Sequence, residues 1–314
     1  MKKYLPLLAN LVSQLLFGLA FFFIKMGMAV VDQDTVKFLS FRFGLGFVAM
    51  TLVWLLGIQK THYREKQSQI WMILLCGLFN PMISQILETT STTYAPTSQI
   101  ALYNSLLPIV MIGFSALINR EYPTKRQLMF VVLGVIGVLV ANLADKAEVG
   151  ATKLGMILIA GTIIVISVQR VLVRRASTAF SSFEIIYLTT GMGAVWFTAL
   201  ALGRHMMSAP LNTYLDGLLC PEFAISVLYM GIGSCVFAFL LMTYAAANLP
   251  FAVYSATSTL STVVSIVAGV LLLGETFRPV EVVGAAIILI SILGMSLSYD
   301  KSDAGGNRLR LERK

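Results

Sequence analysis

Polar side chains recur at helical spacing inside an otherwise apolar stretch of the chain. Asn80, Ser84 and Glu88 are four residues apart, so in a helix they share one face. Pro81, which has no backbone N–H, can kink such a helix. A carboxylate at such a site can take up a proton or pair with a cation. We therefore predict a polar stripe that faces protein or a water-filled cavity rather than hydrocarbon.

Two interpretations of Glu88 stay open. It can carry a coupling proton or bind a cationic substrate, or it can form a buried ion pair with Arg42 or Lys25. The Arg42 guanidinium suits a substrate carboxylate, but a packing role through Glu88 or backbone carbonyls is favoured. Lys25 is expected to extend towards the outer headgroups, with a gating role as the alternative.

The stretch 97–118 offers three bulky polar residues, Gln99, Tyr103 and Asn104. Gln99 and Tyr103 share a helix face, and Asn104 lies beside it. Large amides and phenols are costly to bury in hydrocarbon, so we predict that all three line a cavity.

The stretch 251–273 is rich in small hydroxyl residues, which let helices approach closely. Within it, Ser258 and Thr262 are candidates for cavity lining, and Ser258 lies 154 residues after Asn104 (258 − 104). Tyr244 could form an aromatic wall of the cavity or belong to the interfacial aromatic belt.

The elements that position these residues must be membrane helices. The chain is 57% hydrophobic and 12% charged, whereas soluble domains have about 25% charged residues. Solid apolar runs, rather than alternating residues, exclude a β-barrel and favour helices. We predict an all-α integral membrane protein with ten transmembrane helices, at 5–30, 36–57, 69–92, 97–118, 126–143, 153–173, 182–203, 222–246, 251–273 and 279–298.

The chain also repeats itself. Residues 71–142 align without a gap on 225–296, an offset of 154 (225 − 71). The matched residues include Gly77 and Gly231, Pro96 and Pro250, and Glu121 and Glu275. We predict a first five-helix repeat in 1–143, a second in 153–298, and an unstructured basic tail in 299–314.

The net charge of +8 does not indicate a nucleic-acid partner, because the lysines and arginines concentrate in alternate loops. This bias places both termini in the cytoplasm. Five helices per repeat then invert the second repeat relative to the first, the usual build of a secondary transporter.

Two local patterns predict structural contacts. Ser181 followed by Glu184 is typical of a capping box at a helix start. The glycine pairs are predicted to permit close helix packing, and they are Gly44/Gly46, Gly191/Gly193 and Gly231/Gly233.

Catalytic, metal and cofactor motifs are not evident. The three cysteines have no metal-ligand spacing, both histidines lie in predicted loops, and no Walker, HExxH or nucleophile-elbow pattern occurs. We therefore predict no cofactor, no metal and no enzymatic activity. An integral-membrane enzyme of lipid or cell-wall metabolism is the alternative from another class.

The residues in the repeats together resemble the drug/metabolite transporter superfamily, EamA type. The resemblance covers nearly the whole chain and rests on Phe17-Gly18 with Phe21 or Phe22 and Lys25, Arg42, Thr93-Tyr94-Ala95-Pro96, Leu107-Pro108, Glu121 and Gly137, then Pro250, Gly274-Glu275 and Gly284. The chain departs from the family pattern at three places, namely Phe17, the pair Ser91-Thr92 and Glu88.

The resemblance implies a carrier of small solutes in the cell (inner or plasma) membrane. We predict export of a small polar or amphipathic metabolite, such as an amino-acid-like solute or a drug, by alternating access. Import of a cationic or quaternary-amine solute is the alternative. Its expected partners are the solute and the lipid bilayer. Proton coupling is a hypothesis, and monomer and homodimer both stay open.

Overall fold

The structure is a computed structural model that describes most of the chain. The described residues are 5–59, 61, 63, 68–104, 106–119, 125–143, 152–208, 210, 213–249, 257, 260–275, 279–280, 282–291 and 293–294. Their regular structure is helical, and they contain no strand.

Eleven helices are numbered in chain order. They are α1 Leu5–Val30, α2 Thr35–Leu55, α3 Ile70–Tyr94, α4 Thr97–Asn104, α5 Leu107–Asn119, α6 Lys125–Leu143, α7 Lys153–Ala176, α8 Ser182–Ser208, α9 Pro221–Ala245, α10 Leu260–Leu273 and α11 Val282–Ser291. Helix α9 continues to Asn248 in its last segment.

Six of these helices, α1, α2, α3, α7, α8 and α9, are long and apolar enough to cross a membrane. The predicted all-α membrane fold is thereby confirmed. The predicted run 97–118 contains α4 and α5, and the described parts of α10 and α11 are shorter than a full span. The count of ten spanning helices therefore stays a prediction.

The third spanning helix of each repeat is interrupted by a π-helical segment. In α3 this segment is Leu78–Ile83, and in α9 it is Tyr229–Ala238. The offset of 154 places 78–83 on 232–237, inside the second segment. The sequence repeat thus coincides with a π-helical segment at the same position in both halves. Such π turns inside α-helices often occur at functional sites.

Helices of the two repeats pack directly against each other. Helix α1 packs on α9 and α10, and α2 packs on α8 and α9. Aromatic pairs join the repeats, with ring centroids 3.9 Å apart for Phe23 and Tyr229 and 5.6 Å apart for Phe43 and Phe197. The main core is therefore shared by both repeats.

The predicted capping box at the start of α8 is confirmed. The Ser181 hydroxyl accepts a hydrogen bond from the Glu184 N–H at 3.2 Å, and Glu184 Oε2 accepts one from the Ser181 N–H at 2.8 Å. These reciprocal bonds satisfy two N–H groups of the first turn, so Glu184 has a structural role.

Two of the predicted glycine contacts lie at the crossing of α2 and α9. A Cβ on Gly46 would stand 3.0 Å from the Gly231 carbonyl, and one on Gly231 would stand 3.0 Å from the Arg42 carbonyl. Backbone atoms cannot yield as a side chain can. By contrast, an added Cβ on Gly44 would meet no atom within 4 Å, so Gly44 is not a packing glycine.

Gly231→Val is therefore expected to separate the two helices and lower the free energy of unfolding by about 1–3 kcal/mol. Thermal unfolding in detergent measures the change. Gly203→Ala is the control, because its Cβ meets open space and should leave the melting temperature unchanged or slightly higher. Equal melting temperatures for Gly231→Val and the wild type would contradict this account of the crossing.

Candidate functional site

A cavity lies between the two repeats, bordered by helices α1, α2, α3, α4, α5, α7, α9 and α10. Its empty space, including the part open to solvent, is about 990 Å³. Along α1 the lining runs from Gln14 to Ile24, about 15 Å of helix. The wall combines polar residues with an apolar side formed by Phe17, Phe21, Met230, Phe239 and Met242.

The break in α3 shapes the polar wall. Asn80 has extended backbone angles (φ −144°, ψ 118°), and the following Pro81 has no N–H to donate. The ladder of backbone hydrogen bonds is interrupted there. The part of α3 after the break is therefore rotated about the helix axis relative to the part before it. That part brings Gln85 and Glu88 to the cavity.

A hydrogen-bonded chain connects Arg42 to Glu88. Arg42 Nη1 donates to Gln85 Oε1 at 2.6 Å, and Gln85 Nε2 donates to Glu88 Oε2 at 3.0 Å. The predicted Arg42–Glu88 ion pair is thus indirect, because the Gln85 amide lies between the two charges. The amide both accepts and donates, so it satisfies each charged group.

Arg42 also joins the two repeats. Its side chain is 3% exposed, and it donates from Nε to Cys235 Sγ at 3.3 Å and from Nη2 to Ser234 Oγ at 3.5 Å. Both acceptors belong to the π-helical segment of α9. The guanidinium therefore holds α2, α3 and α9 together at the cavity wall.

Lys25 does not pair with Glu88 as one sequence hypothesis proposed. Its Nζ donates to Glu275 Oε1 at 2.8 Å, and the same oxygen accepts the Thr97 N–H at 2.7 Å. Gly274, with φ +65°, ends α10 in the left-handed conformation that glycine favours. Glu275 follows it and connects α1 with the first turn of α4. The expected extension of Lys25 to the headgroups is accordingly replaced by an ion pair.

Four of the residues predicted to line a cavity do so, namely Asn80, Glu88, Asn104 and Thr262, and Arg42 lines the cavity as well. Within the described part of the chain, Asn104 Oδ1 is buried and has no hydrogen-bond partner. Such an acceptor is available to a donor on a bound solute. Ser258 lies outside the described residues.

Four predicted residues do not border the cavity: Ser84, Gln99, Tyr103 and Tyr244. On α4 the cavity face carries Ala101 and Asn104, and Gln99 lies about 200° around the helix from Ala101. Tyr103 packs against the main core instead.

The other two residues are Tyr244 and Ser84. Tyr244 follows the cavity residue Met242 by two positions, so it points away and is 37% exposed. Ser84 is fully buried and does not border the cavity, although it lies on the same segment of α3 as Glu88.

The sequence reasoning missed Gln14, Gln169 and Arg170, which all line the cavity. Arg170 lies inside α7, within the predicted run 153–173, and is half-buried. The signal for Gln14 was a polar group within the apolar first run, where its Nε2 donates to Asn10 Oδ1 at 3.2 Å. Polar residues inside membrane helices usually face the bundle interior.

Two repeats of membrane helices with a polar cavity between them are a common build of membrane transporters. Residues 5–143 and 153–297 each match the EamA-like transporter family. The chain therefore belongs to this family, as its motifs predicted.

Two known proteins are similar along nearly the whole chain. The "Uncharacterized transporter YcxC" of Bacillus subtilis (strain 168) is 26% identical over 295 residues, which are 94% of this chain and 93% of that protein. A solved crystal structure shares the fold with a TM-score of 0.64 at 17% identity, covering 94% of this chain and 97% of the other.

Proposed function

We propose that this transporter exports a small zwitterionic, amphipathic metabolite by alternating access around the central cavity. The observation that carries the proposal is the division of the cavity lining between charged residues and apolar ones, which include the packed pair Phe17 and Phe239. An amino-acid-like solute has the same division, with ionic groups at one end and an apolar body at the other.

The charged side suits a zwitterion better than a cation. Its described lining contains two guanidinium groups, Arg42 and Arg170, and one carboxylate, Glu88. A substrate carboxylate can pair with a guanidinium, and a substrate ammonium can pair with Glu88 and the free acceptor of Asn104. A quaternary amine would face an excess of positive charge, which disfavours the alternative of cation import.

Inverted repeats support the mechanism. Two similar halves that exchange conformations open the same cavity to one side and then to the other. From the loop charges we place both termini in the cytoplasm, in the inner or plasma membrane. In this arrangement the Lys25–Glu275 pair closes the outer end of the cavity.

Counterflow in proteoliposomes tests the substrate class. Vesicles loaded with an unlabelled amino acid that has an apolar side chain should accumulate the same labelled amino acid, whereas vesicles loaded with choline should not accumulate labelled choline. The matched amine without a carboxylate and the matched acid without an amine should each compete poorly. Choline counterflow without amino-acid counterflow would overturn the proposal.

Glu88→Gln is expected to remove the response of transport to a pH gradient, because the amide cannot take up or release a proton. The wild-type rate should rise when the outer medium is made more acidic, if proton entry drives export. Initial rates in proteoliposomes across a range of imposed gradients measure both effects. A wild-type rate and pH response in Glu88→Gln would refute proton coupling through this residue.

Ser84→Ala is the matched control for that experiment. Ser84 lies one turn before Glu88 on the same segment of α3 but does not border the cavity. Its rate and pH response should equal those of the wild type.

A further inference from the structure

A second, apolar groove lies on another side of the molecule, between α2, α8, the start of α9 and the short 3₁₀ turn Asp216–Leu219. Its empty space, including its open side, is about 1060 Å³. The walls are formed largely by apolar side chains, among them Phe41, Leu45, Leu215, Leu218, Ile225 and Leu228. Leu215, Ile225 and Leu228 are each more than half exposed.

One face of α2 forms the floor of the groove. Ser40, Phe41, Gly44 and Leu45 border the groove, and with Lys37 they follow the spacing of a single helix face. From Lys37 to Leu45 this face is about 12 Å long. A Cβ on Gly44 would meet no atom within 4 Å, so the missing side chain leaves room in the floor.

The end of the groove at the start of α2 carries a cation and an aromatic ring. The Tyr214 ring stacks on Phe41 with centroids 5.1 Å apart, and its hydroxyl is hydrogen-bonded to Ser40 Oγ. The Lys37 Nζ lies 5.8 Å from the centre of the Tyr214 ring. The groove thus changes from apolar to cationic at this end.

Two titratable residues beside Tyr214, Asp34 and His205, already have hydrogen-bond partners. Asp34 Oδ1 accepts the N–H groups of Val36 and Lys37 as the N-cap of α2. His205 Nε2 is hydrogen-bonded to the Pro210 carbonyl and to Thr213 Oγ1. Burial raises the pKa of Tyr214, so its hydroxyl stays neutral. Lys37 therefore supplies the positive charge beside the groove.

We propose that this groove binds one acyl chain of an anionic membrane phospholipid, whose phosphate pairs with Lys37. The groove opens between membrane-spanning helices, and water inside it would find few polar partners. A hydrocarbon chain from the bilayer fills such a space, and an ammonium at its end favours a negatively charged headgroup. The site is separate from the central cavity and does not depend on the transported solute.

Native mass spectrometry of the detergent-purified protein tests this proposal with phosphatidylglycerol and phosphatidylcholine as probes. The wild type should retain one phosphatidylglycerol more strongly than phosphatidylcholine. Lys37→Gln should reduce that preference by roughly fivefold, the effect of about one basic residue near a lipid surface. Binding of phosphatidylcholine should be unchanged in Lys37→Gln.

Gly44→Phe should fill the floor and remove the retained lipid, whichever headgroup is offered. Gly113→Phe is the matched control, because Gly113 on α5 lies away from the groove and, like Gly44, has open space around its Cβ position. Gly44→Leu serves as a smaller groove-filling variant if Gly44→Phe does not fold.

Retention of the same lipid by both folded Gly44 variants would overturn the proposal. The retained lipid would then be exchangeable lipid around the protein and not lipid bound in the groove. An unchanged headgroup preference in Lys37→Gln would overturn the part assigned to Lys37.

Discussion

Arg42→Met is expected to reduce transport to background and to lower the free energy of unfolding by about 3–5 kcal/mol. The variant removes the donors to Gln85, Ser234 and Cys235 at once. It also leaves Glu88 beside the cavity without its connected cation. Transport is measured as initial rates in proteoliposomes, and stability as the melting temperature in detergent.

A double variant separates the two effects. Arg42→Met with Glu88→Gln removes both charges of the Arg42–Gln85–Glu88 chain, so much of the lost stability should return. Transport should not return, because α2, α3 and α9 are no longer held together at the cavity. A wild-type rate in Arg42→Met would show that this connection is not needed for transport.

Arg42→Lys is the conservative comparison. Lysine keeps the charge but has a single nitrogen in place of the planar guanidinium, so it cannot reach three separate acceptors in the same way. We expect a melting temperature between those of the wild type and Arg42→Met, with transport strongly reduced.

Breaking the Lys25–Glu275 pair is expected to open one end of the cavity. The two side chains are 25% and 11% exposed, so water only partly screens their attraction. A pair that contributes about 1 kcal/mol shifts a two-state equilibrium about fivefold. Lys25→Met and Glu275→Gln should therefore each raise the open fraction by about that factor.

Thiol labelling measures this opening. Ala101 lines the cavity and is 1% exposed, so Ala101→Cys provides a reporter. The native thiols are first replaced with Cys76→Ala, Cys220→Ser and Cys235→Ser, the last of which keeps an acceptor for Arg42.

A membrane-impermeant thiol reagent is added to one side of vesicles of known orientation. From one side only, it should label the reporter about fivefold faster in Lys25→Met and Glu275→Gln than in the protein with the intact pair. Labelling from the opposite side should not increase. Glu275→Gln keeps an oxygen for the Thr97 N–H, so an effect equal to that of Lys25→Met assigns the closure to the charge pair. Unchanged labelling in both variants would exclude the pair as a gate.

Much of the architecture follows from local sequence. Apolar runs of about 20 residues specify membrane helices, and the offset of 154 between 71–142 and 225–296 is visible in the sequence alone. The capping box at Ser181 and Glu184 also forms as predicted, because its hydrogen bonds join residues three positions apart.

The composition of the site was only partly predictable. Asn80, Glu88, Asn104 and Thr262 line the cavity, because a bulky or polar group within an apolar helix has few other places to go. Gln99 and Tyr244 share that polarity but lie elsewhere on their helices. In a membrane protein the lipid-facing and core-facing sides are both apolar, so hydrophobic periodicity does not reveal how a helix is rotated.

The sequence by itself determined the helical membrane fold, the duplication and the capped start of α8, since each depends on composition or on neighbouring residues. Only the tertiary structure decided which charges meet. Lys25 reaches Glu275 across 250 positions, and Arg42 reaches Glu88 through Gln85. Those pairings depend on how the two repeats pack and on the new rotation of α3 after Asn80, which no local pattern specifies.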